Sequence, residues 1–537
     1  MPGLSHILTP GLAAALGEIS VPRLVSPKIA DDLLNEWAGA GAEIVELGAS
    51  REGRAIRAAV IGPAEPKHSL LAWGYPHPDE PLGATAICWL AEQALRGRLQ
   101  DLDGWRFVII PCADPDQAHR QLWLEGRADA HAFAAGCWSP THLQLEVDYG
   151  FPLDWGPFLQ TPDWRGQCRL PSECRASCGE SCRWEGLPAG PLPESLALAR
   201  AIERFEPKIV ASLHNTHAGG DYTFLLQRER REVMRDLLAI PSASGRARHL
   251  GEPIDRGVRW LRDAPDLIHE RTLEYHRRQL ERSPGYDPNQ RYAVNHSAAS
   301  FIEARPGRVQ FICPESTLFY HPAFADTSPW GRRVRVREQV RRGRGGRFYR
   351  CRWVRDGGEW LLYEQERMPG RRRGTGQREL ETEVTRGMLG CLALARRRRT
   401  LDAADRIWER VAPHADAYHP YMDERELFRA PGRFVGDRAM LIFRTRPDYR
   451  RPATVAQRAT FAWEWPLHTA TLLGNFANFL AAQDAERPQI AAAQRKLDRL
   501  IAAEIKQLPP RMREQAPWES AARSILARVL RLALDRG

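Results

Sequence analysis

Apolar positions recur in two spacings that alternate along the first three hundred residues of this chain. Predominantly apolar runs at 56–61, 70–73, 105–110 and 208–213 read as strands, and 307–313 as a last strand. Between them, apolar residues return at helical spacing over 29–37, from Gly83 to about Arg98, and over 193–205. The last of these carries Glu194 near its start, where the helix dipole favours an acid. Strands alternating with helices predict an α/β fold, with a mixed, largely parallel sheet flanked by helices. The segment 47–57 reads as turn-rich, and 112–190 as a long irregular stretch of the kind that is functional or inserted. After 221–227 the pattern is mostly helical to about 282 and then irregular. An Arg-rich segment beyond Trp330 includes a short β-like stretch at 347–363, and 379–537 is mainly helical in pattern, broken near 411–455. There is no internal repeat.

At 537 residues the chain is too long for one ordinary core. Three parts are expected: a helical N-terminal lead-in (1–45), an α/β domain (46–330) with a Cys-rich insertion near 160–190, and an Arg-rich, then mainly helical, C-terminal region (331–537). With 43% hydrophobic and 27% charged residues the composition is that of a globular protein. No run of eighteen apolar residues offers a membrane span. The N-terminus lacks a basic start, and Pro10 interrupts its apolar patch, so a cytoplasmic location is expected.

The net charge of +10 is concentrated. Residues 331–400 hold 21 Arg, no Lys and 8 acidic residues, a local balance of +13. Without an aromatic-laced motif beside it, this segment reads as a solvated Arg-rich surface, and nucleic acid is not expected as a partner. Four of the ten cysteines cluster as Cys168, Cys174, Cys178 and Cys182, spaced C-x5-C-x3-C-x3-C. That spacing matches neither structural zinc knuckles nor common iron–sulfur runs. A second metal site, a redox pair and a plain Cys-rich insertion all stay open. The sequence does not choose an oligomeric state.

The candidate chemistry sits where strands end. His77-Pro78-Asp79-Glu80 follows the run 70–73 on a Pro-bracketed turn, and a His and a carboxylate three residues apart can converge on one zinc ion. His214 directly ends the run 208–213. In α/β sheets the site lies at the carboxyl ends of strands, which is where both histidines fall. His217, three residues on, competes with His214 for the same role.

Five segments, in order, resemble the zinc carboxypeptidase (funnelin) family of metallopeptidases. Ser50-Arg-Glu-Gly-Arg54 is similar to the family's S-x-x-G-R segment, and His77 with Glu80 to its HxxE ligands. Cys112-Ala-Asp-Pro-Asp116 resembles its N-P-D-G turn, Pro193-Glu-Ser with Ser212-Leu-His214 the helix and strand end before the third ligand, and Cys313-Pro-Glu315 the late strand with the catalytic glutamate. The resemblance covers roughly residues 45–325. It implies one Zn²⁺ held by His77, Glu80 and His214, Glu315 as general base, and Arg120 meeting the developing oxyanion. Glu303 is the competitor for the base. A mobile substrate-side tyrosine is implied at Tyr292, with Tyr286 and Tyr275 nearby. The implied activity is hydrolysis of a peptide or amide bond.

One departure bears on specificity. The family's Asn-Arg pair, which grips a terminal carboxylate, falls at Glu146–Gly156, where the middle reads Tyr149-Gly150 with no Arg. A bidentate Arg–carboxylate contact is hard to replace. Arg165 or Arg169 in the adjacent insertion is a candidate substitute. Without one, the reading moves to an amidase with a different anchor or to a binding protein on a peptidase fold. A deacylase of N-acylated amino acids is disfavoured by the Ser50–Arg54 segment and the chain length.

Overall fold

A strand buried along nearly its whole length needs cover on both faces, and four of the apolar runs meet that condition. The computed structural model describes residues 3–125 except 22, 129–137, 192–249, 259–261, 264–268, 298–303, 309–331, 333–342, 348–355, 360–367, 380–385, a few positions between 403 and 410, 453–481, 488–513 and 518–537. The main sheet is built from β1 (Glu43–Ala49), β2 (Ala55–Ile61), β3 (His68–Trp73), β4 (Trp105–Ile110), β5 (Ile209–Ser212), β6 (His214–Thr216), β7 (Tyr222–Leu225), β8 (Arg259–Leu261), β9 (Ala264–Ile268) and β10 (Gln310–Thr317). Their order is β1-β2-β4-β3-β5-β10-β7-β9-β8, with β6 also on β10. The centre, β4-β3-β5-β10, is parallel. Antiparallel pairs β1–β2, β2–β4 and β10–β7 flank it, so the sheet is mixed around a parallel centre.

The helices are α1 (Pro10–Gly17), α2 (Pro27–Gly39), α3 (Pro81–Leu95), α4 (Pro115–Ala118), α5 (Ala130–Gly136), α6 (Pro193–Phe205), α7 (Arg231–Ala243), α8 (Ala298–Glu303), α9 (Val455–Ala481), α10 (Pro488–Ile505), α11 (Pro510–Arg513) and α12 (Trp518–Arg536). Alternate residues of one strand enter opposite layers, as a period of two requires. Leu70, Ala72, Ile209 and Ala211 pack with Leu34 and Trp37 of α2, Ile87 of α3, and Ile525 and Val529 of α12. Leu71, Trp73 and Val210 pack with Leu198 and Ile202 of α6 and Phe301 of α8. The last helix of the chain thus shares the core of the sheet with the N-terminal helices.

Two local differences from the sequence reading have simple causes. The turn expected from Leu47 begins only at Ser50, because Glu-Ile-Val-Glu-Leu alternates and buries Val45 and Leu47 as β1 pairs with β2. The late strand, expected to stop at Cys313, continues as β10 through Thr317, so Glu315 lies inside it.

The Arg-rich segment forms a second, antiparallel sheet of β11 (Arg333–Arg342), β12 (Phe348–Arg355), β13 (Leu361–Arg367) and β14 (Leu380–Thr385), ordered β13-β12-β11-β14. Glu338 pairs there with Arg352 at 2.9 Å and Arg350 at 3.4 Å, so part of the positive charge is neutralised within the sheet. Helix α9 docks on α5 without intervening side chains: a Cβ at Gly474 would lie 1.7 Å from the Ala134 carbonyl oxygen. Asn478 Nδ2 donates to the carbonyls of Ala135 and Cys137 at 3.3 and 2.9 Å. Among the described residues, no helix is long and apolar enough to cross a membrane. The cysteine cluster 168–182 lies outside the described residues.

Candidate metal centre

The chain leaves β3 through a tight, constrained turn. Gly74 N donates to Ile110 O at 3.0 Å, and Tyr75 follows in the left-handed region at φ 54°, uncommon for a residue with a side chain. What holds Tyr75 there is burial of the whole ring and a 2.5 Å hydrogen bond from its hydroxyl to the Val25 carbonyl. Glu80 N then donates to His77 O at 3.1 Å, which closes the turn just before α3 starts at Pro81. Both His77 and Glu80 are delivered by this one turn.

A second chain segment comes up against it closely. A Cβ on Gly83 would lie 2.1 Å from the Leu213 carbonyl oxygen, so glycine lets the first turn of α3 rest on the β5–β6 link. Asn215 fastens the two: its N–H donates to Glu80 Oε2 at 3.2 Å, and its Oδ1 accepts from Leu82 N at 3.2 Å. His214, opening β6, is registered beside Glu315 of β10. Sequence positions far apart thereby face one another.

The side chains converge. Glu80 Oε1 is 2.7 Å from His77 Nδ1, and Oε2 is 2.9 Å from His214 Nδ1. The two imidazoles meet edge to face, with ring centroids 4.9 Å apart. Ligand atoms of His77, Glu80 and His214 all lie within 4.8 Å of one another. A second group, His214, Cys313 and Glu315, meets the same limit and shares His214. Glu315 Oε1 stands 3.8 Å from His214 Nδ1. Ser212 Oγ lies 3.0 Å from Nε2 of His214, orienting the ring from its far side.

Electrostatics separates the two carboxylates. Burial pushes Glu80 up, but the charges and hydrogen bonds of His77 and His214 outweigh it and hold Glu80 well below the usual carboxylate range. Glu315 is pushed up to about 7, chiefly by burial and also by the nearby Glu80 charge, against the opposing pull of His214. One acid is thus disposed to stay ionised and the other to take a proton near neutrality. Two imidazole nitrogens, one buried carboxylate and a second, more basic carboxylate are the donor types a catalytic zinc site uses, so the residues fit such an ion.

The other described candidates make contacts of their own. His217 Nε2 lies 3.3 Å from Asp79 Oδ2 and packs edge-on against Phe133. Glu303 ends α8 and is in neither ligand group. Arg120 Nη2 is 2.5 Å from Glu52 Oε1, in an ionic network where Arg54 Nη1 meets Asp116 at 2.7 Å and Arg51 Nε meets Glu194 at 2.9 Å. Ser50 Oγ donates to Asp116 Oδ1 at 2.6 Å. Three of the segments singled out in the sequence, 50–54, 112–116 and 193–195, therefore meet in this network. Tyr292, Arg165 and the Glu146–Gly156 segment lie outside the described residues.

Sequence reasoning passed over the groups behind Glu315. Asp221, Arg246 and Arg528 are buried together, with Arg528 from the C-terminal helix donating to the Glu315 carbonyl at 3.0 Å. A legible signal existed: Arg528 interrupts the apolar stripe of Ile525, Val529 and Leu532.

No protein-family model matches the chain, and no curated protein matches it. Solved structures overlap with it in part. Carboxypeptidase A from Helicoverpa armigera is 16% identical over 59% of this chain and 70% of its own, at a TM-score of 0.30. Bovine thrombin-activatable fibrinolysis inhibitor, solved with tick carboxypeptidase inhibitor, is 14% identical over 54% and 86%, at 0.30. A metallo-carboxypeptidase from Burkholderia cenocepacia is 16% identical over 54% and 59%, at 0.26. At such scores the likeness carries no argument, and the strand order and side-chain geometry stand by themselves.

Proposed function

We propose that the protein is a zinc-dependent hydrolase of the carboxypeptidase-like metallopeptidase type, cleaving a peptide or amide bond with water as nucleophile. The observation that carries this reading is the approach of His77, Glu80 and His214 to within 4.8 Å of one another, with the Glu315 carboxyl 3.8 Å from His214. His77, Glu80 and His214 would hold one Zn²⁺. Bound there, the ion would supply Lewis acidity and bring the pKa of an adjacent water towards about 7. Glu315, buried and raised towards neutrality, accepts the water proton and passes it to the leaving amine nitrogen. Glu80 stays ionised between the imidazoles, while Asn215 N–H and Ser212 Oγ keep Glu80 and His214 in orientation. Arg120 remains the proposed oxyanion partner and would first have to exchange its contact with Glu52.

Elemental analysis joined to substitution tests this. The purified protein is expected to carry one zinc per chain and to lose both metal and hydrolysis on chelation, with return of activity on adding zinc. His77→Ala is expected to reproduce that loss, since one ligand of three disappears. Absence of stoichiometric zinc, together with unchanged hydrolysis by His77→Ala, would end the proposal. Zinc bound without turnover of any peptide or amide would instead favour a binding protein built on this fold.

A further inference from the structure

Arg528 is wholly buried on α12, and its guanidinium spans the β7–β10 pair at the level of Glu315. Nη2 donates to the Glu315 carbonyl at 3.0 Å and to Ser524 Oγ at 3.3 Å. Nη1 donates to Thr223 Oγ1 at 3.0 Å and to the Tyr222 carbonyl, and Nε to the Ser524 carbonyl at 2.9 Å. Tyr222 is the residue registered opposite Glu315, so one side chain ties the main chains of both partners. Next to them Pro314 faces Thr223, and a proline has no N–H to give the ladder. The guanidinium thus donates to main-chain carbonyls one residue from that proline pair.

Asp221 organises the donor. Its Oδ2 accepts from Ser524 Oγ at 2.6 Å and Ser316 Oγ at 2.8 Å, and lies 3.7 Å from Arg528 Nη2. Its Oδ1 lies 3.4 Å from Arg246 Nε. Two buried guanidiniums thus face one buried carboxylate, a costly arrangement unless further acceptors engage them. Main-chain carbonyls do so: those of Glu315 and Tyr222 for Arg528, and that of Thr317 for Arg246 at 2.5 Å. All these acceptors lie on β10 or on the strand paired with it. An apolar residue at 528 would have completed the stripe of α12 without that cost.

We propose that Arg528, held by Asp221 and Ser524, is a positioning residue: by fixing the main chain of Glu315, the C-terminal helix sets where that carboxyl stands relative to His214. This rests on the hydrolase reading for its kinetic consequence but not for its structural one. A displacement of a reacting group by about 1 Å can cost on the order of a hundredfold in rate, so the effect belongs in kcat rather than in metal binding or KM.

The test compares full-length Arg528→Met, Arg528→Lys and Ser524→Ala with Arg531→Met, a control on the same helix whose guanidinium pairs with Asp236 at 2.9 Å. Zinc content, thermal unfolding, kcat and KM on a peptide that the parent protein cleaves are measured for each. Arg528→Met is expected to lower kcat about 10- to 100-fold with KM and zinc content unchanged. Arg528→Lys should recover part of the loss, and Arg531→Met should match the parent. Unchanged kcat in folded, zinc-loaded Arg528→Met overturns the inference, as does loss of rate in step with loss of zinc. Should Arg528→Met fail to fold, unchanged kcat in both Arg528→Lys and Ser524→Ala overturns it equally. If the parent hydrolyses nothing, the hydrolase reading fails by itself, and crystal structures decide the positioning claim. A His214–Glu315 separation in an Arg528 variant equal to the parent's 3.8 Å would then refute it.

Discussion

The two sides of the candidate site are assembled by opposite means. On one side a single turn carries His77 and Glu80, three residues apart, and Asn215 fastens it to the strand bearing His214. Two of its three candidate ligands sit on that one turn, and glycines at 74 and 83 allow its close backbone contacts. On the other side Glu315 follows Pro314 on a strand braced by a helix more than two hundred positions later. The proposed ligands are held by one turn and the β5–β6 link, whereas the proposed base is braced by the end of the chain. A fault in the first should empty the site of metal, and a fault in the second should leave metal in place and slow the chemistry.

The sharpest way to break that comparison is to remove the base alone. Glu315→Gln keeps the shape of the side chain, so zinc content should remain at the parent level while kcat falls about 10²- to 10⁴-fold, the usual worth of a general base. Joint loss of zinc would show that Glu315 belongs with the ligands and that the two sides are not separable. A smaller effect is expected at the contact between them. Gly83→Ala forces a methyl towards the Leu213 carbonyl, which should cost about 1–3 kcal/mol in thermal or denaturant unfolding and weaken zinc binding as the turn moves off β6. Destabilisation with unaltered zinc affinity would mean the turn holds its ligands without that support. The mildest is Tyr75→Phe, which removes the hydroxyl bond to Val25 and should cost about 0.5–1.5 kcal/mol in unfolding, with zinc retained.

The same contrast runs through what could be read in advance. The turn of His77 and Glu80 could be singled out because its candidate chemistry is compressed into four residues after an apolar run, and strand ends are where α/β sheets place their sites. His214 could be singled out for the same reason, its place directly at a strand end favouring it over His217. In the fold the strand register puts His214 beside Glu315, while His217 turns to Asp79 and Phe133. Arg528 was not legible as part of the site. A charged residue in an apolar helical stripe announces a buried partner but not which one, and here the partners are backbone carbonyls, which no side-chain pattern encodes.

By itself the sequence determined the alternation of strands and helices, the apolar cores of β3, β4 and β5, and the residue types gathered at two strand ends. These follow from periodicity and side-chain chemistry, which act over a few positions at a time. Only the tertiary structure decided that β10 lies between β5 and β7, that Glu80 stands between two imidazoles, and that the final helix packs behind the strand of Glu315. Such facts depend on which surfaces bury each other across hundreds of residues, and that choice is made by packing of the whole chain.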